Sequence, residues 1–102
     1  MSELLEFKGF LSFLILHEIS YRPLAGDDLA KKIGARKGGM LTPGTIYPAL
    51  KKLRQKKLVT FKQIGRKKLY SLTKKGQNEL EKQYFLFSKY FFGLKNKIRR
   101  EK

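Results

Sequence analysis

Cysteine and tryptophan are both absent from this chain of 102 residues. Without cysteine, the protein can have no disulfide framework, no thiolate zinc site and no cysteine nucleophile. The one histidine, His17, lies among apolar residues and is predicted to be buried or at an interface rather than catalytic. Because no phosphate-binding loop or nucleophile motif is present either, we expect neither an enzyme nor a bound metal or cofactor.

Long apolar runs are missing as well. The longest, FLSFLIL from Phe10 to Leu16, is far shorter than the ~20 residues that a membrane-spanning helix needs. The chain opens with MSELLEF, which has two acids where a secretory signal would have bases. These features predict a soluble, cytoplasmic protein.

Acidic residues are scarce, since 24 Lys and Arg stand against 8 Asp and Glu and the formal net charge is +16. From residue 29 to residue 78 there is no acid at all, and fifteen of the bases lie there, so the rest of the chain is nearly neutral. Such uneven charge predicts a polyanionic partner, most simply nucleic acid, and hence association with the nucleoid. The alternative is a solvated basic surface without a partner, but its self-repulsion would oppose folding.

The first half of the chain has helical periodicity. A first helix is predicted from Glu3 to Ile19, and because it is apolar most of the way round, it should be buried on more than one side. A second helix is predicted over DDLAKKIGARK, where Asp27 suits the N-cap and Asp28 the positive end of the helix dipole. We interpret these two acids as a helix start rather than as a metal or acid-base pair.

A short hairpin is predicted after a third helix that spans about 42–57. Its strands cover about 58–64 and 68–72, with Val59 and Phe61 alternating on the first and Tyr70 and Leu72 on the second. Between the strands, Gly65-Arg66 suits a type II′ turn, which favours glycine first. The hairpin therefore has a basic tip.

A last helix is predicted to begin after Thr73, its cap, and to continue into the C-terminal region. Its apolar positions are spaced 4, 3, 4, 3, 4 in a heptad pattern: Leu80, Tyr84, Phe87, Phe91, Leu94 and Ile98. Phe85, Tyr90 and Phe92 broaden this seam beyond what one small core can cover. We therefore predict that residues 74–102 form a dimerisation helix.

The third helix has an unusual start, TPGTIYP. Its inward face is apolar, whereas its outward face begins small and polar and becomes basic. Either Thr42 is the N-cap and Pro43 the first helical residue, or Thr45 is the cap and Pro48 falls in the first turn. In both cases the exposed amides and the small residues would let a phosphate backbone approach closely.

A helix, a turn, a basic helix and a hairpin predict a winged helix-turn-helix domain over residues 1–73, with the third helix as recognition helix and 58–72 as the wing. The fold class is mainly α with this small β-hairpin wing. The residues predicted to contact DNA are Thr42, Gly44, Thr45, Tyr47, Pro48, Lys51, Lys52, Gln55, Arg66, Lys67 and Lys68. The alternatives are that Pro and Gly only shape a turn, that Tyr47 only packs, and that the wing tip is only solvated.

Two motifs, TPGTIYPALKKLRQKKLV and GRKKLYSLTKKG, resemble the signature of PadR-type transcriptional regulators in their order and spacing. The resemblance implies a homodimer in which the C-terminal helix packs with the partner's N-terminal helix, an inverted-repeat operator and, usually, repression. It also implies that Thr42, Thr45, Tyr47, Pro48 and Lys51 face the groove and that Gly65, Arg66 and Lys67 form the wing tip.

The chain departs from the family pattern at two places. The family often has glycine where Lys57 stands, so a left-handed C-cap at Lys57 would be strained. The usual G-Y-E-L segment is replaced by LAGDDL, residues 24–29, which leaves the register of the second helix open.

The predicted function is sequence-specific regulation of transcription, as a homodimeric repressor by the resemblance. A sequence-independent, chromatin-like DNA-binding protein is the alternative, and it would bind all duplexes alike. The aromatics from Tyr84 to Phe92 could also line a cavity for a small aromatic effector at the dimer interface, since the family includes members that sense phenolic compounds. A plain packed seam is the favoured reading of these aromatics.

Overall fold

The computed structural model describes residues 7–36, 39 and 41–94. These described residues form four helices and three strands in the order α1 (Phe7–Ile19), β1 (Leu24–Ala25), α2 (Gly26–Arg36), α3 (Pro43–Gln55), β2 (Val59–Ile64), β3 (Lys67–Leu72) and α4 (Lys74–Tyr90). The strands form one antiparallel sheet in the order β1-β3-β2. The mainly helical winged helix-turn-helix architecture predicted from the sequence is confirmed.

The core lies where α1, α2 and α3 meet the sheet. Each helix contributes its apolar positions, and the completely buried side chains are Ile15, Leu16, Leu29, Ile33, Ile46 and Leu50. Helix α1 packs against α2, α3 and α4, as its apolar circumference predicted. The predicted start of this helix at Glu3 lies outside the described residues.

The wing is a hairpin whose strands are joined by a two-residue turn. Ile64 pairs with Lys67 across the turn, and Gly65 has φ +61°, whereas Arg66 is not among the residues with positive φ. A positive φ at the first turn position alone agrees with the predicted type II′ turn. The pair Phe61 and Tyr70 is in register, and both side chains face the core, as the alternating pattern predicted.

At the start of α2, one element was missed and one expectation was wrong. The strand β1, which pairs Leu24 with Tyr70 and Ala25 with Leu69, was not predicted because a two-residue strand has no periodicity of its own. Helix α2 follows it directly from Gly26, so Asp27 is a first-turn residue and not the N-cap. Its carboxylate accepts a hydrogen bond from the amide of Asp28 at 3.1 Å.

The last helix ends earlier than predicted. Thr73 caps it, since its hydroxyl accepts a hydrogen bond from the amide of Gly76 at 2.9 Å. The helix closes at Phe91, whose amide donates to the carbonyl of Phe87 at 2.9 Å, and Gly93 follows with φ +87°. Because glycine tolerates this left-handed conformation, the chain can turn there, which interrupts the expected heptad seam.

The turn after α3 has the left-handed residue that the sequence suggested. Lys57 has φ +64°, and the next amide, that of Leu58, donates to the carbonyl of Leu53 at 3.0 Å, as in a Schellman cap. The hydroxyl of Thr73 donates to the carbonyl of Lys57 at 2.7 Å. The start of α4 therefore holds Lys57 in a left-handed conformation, which is unfavourable for any residue with a Cβ.

We predict that Lys57→Gly stabilises the protein by about 1 kcal/mol, because glycine adopts positive φ without the steric cost of a Cβ. The matched control is Lys56→Gly, which removes the same charge at a residue with φ −82° and should destabilise. Urea unfolding followed by circular dichroism measures both differences. A Lys57→Gly protein no more stable than the parent would contradict strain at this turn.

Gly76 is required by a close approach of two backbones. A Cβ at this position would overlap the carbonyl oxygen of Leu58, in the turn before the wing. We predict that Gly76→Ala costs about 1–3 kcal/mol of stability through this overlap, although alanine is the better helix former. Gln77→Ala, at the exposed neighbour, is the control and should change the midpoint of thermal unfolding little.

Candidate nucleic-acid interface

The side chain of the N-cap residue of helix α3 makes no capping hydrogen bond. Thr42 is the N-cap residue in extended conformation, and its carbonyl accepts hydrogen bonds from the amides of Thr45 and Ile46 at 3.0 and 3.1 Å. Pro43 is the first helical residue, so of the two arrangements considered, the one with Thr42 as N-cap is correct. The positive end of the helix dipole is therefore available to an anion outside the protein.

In the part of the chain that the structure describes, neither conformation nor packing requires a glycine at position 44. Its φ is not positive, and a Cβ there would find only the hydroxyl of Thr42, at 3.8 Å, an ordinary contact distance. Four residues later, Pro48 lies inside the helix, exposed and without an amide to bond to the carbonyl of Gly44. Both residues lie inside α3, and of the three residues Pro43, Gly44 and Pro48, Pro43 alone stands where the chain enters the helix.

The predicted DNA-facing side of α3 is one continuous exposed surface. Ile46, Leu50 and Leu53 are buried on the opposite side. The exposed residues are Thr42, Gly44, Tyr47, Pro48, Lys51, Lys52 and Gln55, while Thr45 is half-buried. Burial of the apolar stripe thus fixes which residues face outward.

Tyr47 is both a packing residue and a surface residue. Its ring lies against Gly26 so closely that a Cβ there would overlap it, yet 43% of the residue remains exposed. The hydroxyl end of the ring therefore lies next to the start of α2, and the remaining exposure of the residue is on the outward side of α3.

The wing tip and α3 share a groove of about 350 Å³. Its lining residues are Ala25, Gly26, Asp27, Tyr47, Arg66, Lys67, Lys68 and Tyr70. Burial raises the pKa of the Tyr70 hydroxyl, the nearby Tyr47 adds to this, and Arg54 opposes it. The hydroxyl therefore stays protonated at neutral pH and can donate a hydrogen bond.

Not every base of the central segment is available to a partner. The guanidinium of Arg36 is 2.8 Å from the carboxylate of Glu18, and its Nε donates to the same oxygen at 3.0 Å. The ammonium of Lys75 donates to the carbonyl of Lys56 at 3.0 Å. Among the residues that the structure describes, the bases that stay exposed include Lys51 and Lys52 on α3 and Arg66 and Lys67 on the wing, besides Lys31 and Lys32 on α2.

The pattern of the PadR-like family of transcriptional regulators matches residues 15–82, from the end of α1 to the first turns of α4. The chain belongs to this family. A comparison with curated proteins gave no match. Within the part of the chain that the structure describes, none of the helices of this PadR-like protein is long and apolar enough to cross a membrane.

Solved PadR-like structures have the same fold. A PadR-like transcription factor from Bacteroides fragilis is 22% identical with a TM-score of 0.75, over 93% of this chain and 92% of that one. A PadR family regulator from Clostridium difficile is 24% identical with a TM-score of 0.70, over 87% and 97%. Bacillus subtilis PadR, solved with operator DNA, is 30% identical with a TM-score of 0.63, over 74% of this chain but only 45% of that one.

Of the residues predicted to form the dimer seam of this PadR-like protein, some pack within the chain and others do not. Leu80 is buried in the chain's own core. The ring centroid of Phe87 lies 4.4 Å from that of Phe13, and the hydroxyl oxygen of Tyr84 lies 2.6 Å from Nδ1 of His17. Phe91 follows the helix end and Leu94 is exposed. Ile98 lies outside the described residues.

The sequence did not indicate two features of the interface. One is the contact between Tyr47 and Gly26, which joins residues far apart in the chain. The other is the ring of Phe61, with Arg54 and Lys68 over it at 4.7 and 4.8 Å. A pattern of basic and aromatic residues alone cannot distinguish these contacts from exposed charges, because they depend on how α3 meets the sheet.

Proposed function

We propose that this PadR-like protein is a sequence-specific repressor that binds an inverted-repeat operator as a homodimer. The observation that carries the proposal is the start of α3, which has no side-chain cap and has a glycine that neither backbone conformation nor internal packing requires. The operator complex of Bacillus subtilis PadR supports the choice of DNA as partner. The setting of this function is the cytoplasm, in association with the nucleoid.

The N-terminal end of α3 enters the major groove in this proposal. Thr42 and Gly44 lie where the helix dipole favours a phosphate, and Thr45 and Tyr47 supply hydroxyls beside them. Further along the same face, the exposed side chains of Pro48, Lys51, Lys52 and Gln55 follow the groove. A backbone phosphate could approach α3 most closely at Gly44.

The wing contacts the DNA backbone or the adjacent minor groove through Arg66 and Lys67. Both are exposed at the tip, and the groove of about 350 Å³ places them around the same space as Tyr47. Lys68 is the weakest candidate of the wing, because its ammonium is over the ring of Phe61.

A second copy of the chain covers the aromatic surface of α4. Phe85, Tyr90 and Phe92 are 63%, 59% and 89% exposed, and three exposed rings so close together in the sequence are unusual for a small monomer. The division into a DNA-binding unit of residues 1–73 and a dimerisation unit of residues 74–102 follows from this proposal. In it, α4 of one chain packs with α1 and α4 of the other.

A cavity of about 180 Å³ lies beside this surface, lined by Gly9, Phe10, Phe13, Gln83, Leu86, Phe87 and Tyr90. Its mostly apolar lining suits a small aromatic effector at the dimer interface. Packing by the partner's helix is the favoured alternative for the same space.

Selection of binding sites from a randomised duplex library at about 150 mM salt tests the function. We expect enrichment of an inverted repeat, with half-sites about one helical turn apart, and a preference over scrambled DNA of ~10³-fold or more. Equal binding of all duplexes would instead identify a sequence-independent, chromatin-like protein.

We predict that Gly44→Ala weakens operator binding about tenfold or more while the protein remains as stable as the parent or becomes more so. Alanine is the better helix former by ~1 kcal/mol, and the free protein has room for the methyl group, so only the approaching DNA would meet it. Fluorescence anisotropy measures the affinity and thermal unfolding the stability. Thr60→Ala, on an exposed part of β2, is the control, and unchanged affinity of Gly44→Ala would refute close approach at this residue.

We predict that Phe85→Glu produces a monomer that binds the operator at least about 100-fold more weakly, because the two half-sites no longer act together. Phe85 is more suitable than Phe87 for this test, since Phe87 also packs against Phe13 within the chain. Gln77→Glu adds the same charge to the same helix away from the aromatics and should stay dimeric. Light scattering measures the oligomeric state of both variants. A Phe85→Glu protein that is still dimeric would contradict the proposed interface.

A further inference from the structure

Phe61 connects the recognition helix to the wing. It lies on β2, half-buried, and its ring centroid is 4.7 Å from Cζ of Arg54, in the last turn of α3. The ammonium of Lys68, on β3, is 4.8 Å from the same centroid. One aromatic ring therefore contacts cations from two elements that the proposed function places on DNA together.

The geometry of these contacts is that of cation–π interactions. Both cations lie within the ~6 Å at which the negative face of a ring attracts them. The ring of Tyr70 lies 5.6 Å from that of Phe61, and the two residues are directly paired across the strands. Phe61 is thus fixed by the sheet on one side and in contact with α3 on the other.

Arg54 and Lys68 differ from Arg66 and Lys67 in what lies beside their charged groups. Arg54 lies close enough to Tyr70 to lower the pKa of its hydroxyl against the effect of burial, so its guanidinium is directed to the sheet. Lys68 is on the strand face of Tyr70 and Phe61, whereas Lys67 lies one residue nearer the tip, on the opposite face of β3.

We propose that Phe61 is a positioning residue for the wing: Arg54 holds its ring to the recognition helix and Lys68 holds β3 to the same ring, instead of binding phosphates. The inference rests on the proposed function, since it says how that interface is held in shape. Reading DNA with two separate elements requires a fixed distance between them. The third strand, β1, pairs with β3 at Leu69 and Tyr70, and the tip of the hairpin extends beyond these residues.

Salt dependence of DNA binding separates Lys68 from its neighbour Lys67. A lysine that neutralises a phosphate contributes about one unit to the slope of log affinity against log salt concentration. We expect Lys67→Gln to reduce the slope by about one and Lys68→Gln to leave it unchanged, with an affinity loss of about threefold or less. A slope that falls by one for Lys68→Gln overturns the inference.

Substitutions of Phe61 test the ring itself. We expect Phe61→Leu, which keeps apolar volume but removes the ring face, to weaken operator binding about five- to tenfold, and Phe61→Tyr to restore it within twofold. If Phe61 acts through the wing tip, Phe61→Leu should change affinity less than twofold in an Arg66→Ala background. Equal losses in both backgrounds, or no rescue by tyrosine, overturn the inference.

A measurement on the free protein tests the positioning role of Phe61 without relying on DNA binding. Nuclear magnetic resonance relaxation of the free protein should show greater motion of the Gly65 and Arg66 amides in Phe61→Leu than in the parent or in Phe61→Tyr. The resonance of Arg54 Nε should shift in Phe61→Leu alone. If operator selection fails but these changes occur, the proposed function is wrong and the positioning role stands; an equally rigid wing in all three proteins overturns the role.

Discussion

The turn from Lys56 to Leu58 holds α3, the wing and α4 together through three consecutive carbonyls. The ammonium of Lys75 donates to the first, the hydroxyl of Thr73 to the second and the amide of Thr73 to the third, at 3.0, 2.7 and 3.1 Å. Gly76 lets α4 come close enough for these bonds, because any side chain there would meet Leu58. The direction of the recognition helix relative to the wing depends on this junction, and so does the point where α4 begins.

The arrangement explains how a chain with so much positive charge can fold around a modest core. Burial of Ile46, Leu50 and Leu53 orients α3, and its basic residues then lie on the outer face, where water and salt screen them. Where a base lies closer to the protein, a partner is present: Arg36 pairs with Glu18, and Arg54 lies over Phe61. On the surface proposed for DNA, Lys51, Lys52, Arg66 and Lys67 are exposed.

The sequence predicted the elements with strong periodicity and missed those set by contacts. The apolar stripe of α3, the glycine of the wing turn and the cap at Thr73 are local signals, and each was confirmed. The strand β1 exists only because β3 lies beside it, and the heptad spacing could not reveal that α4 turns at Phe91. The outward residues of α3 could be named from a helical wheel. The groove that joins Tyr47 to the wing tip could not, because it results from tertiary packing.

The most direct test of the account is a titration of isotope-labelled protein with its selected operator, followed through the backbone amide resonances of α3. If a phosphate binds at the open helix start, the amide of Gly44 should shift strongly downfield on operator binding, and the amide of the same position in Gly44→Ala should not. If the shifts are confined to the wing and to residues near Lys51, with Gly44 unaffected, the helix start does not meet the DNA backbone and the account is wrong.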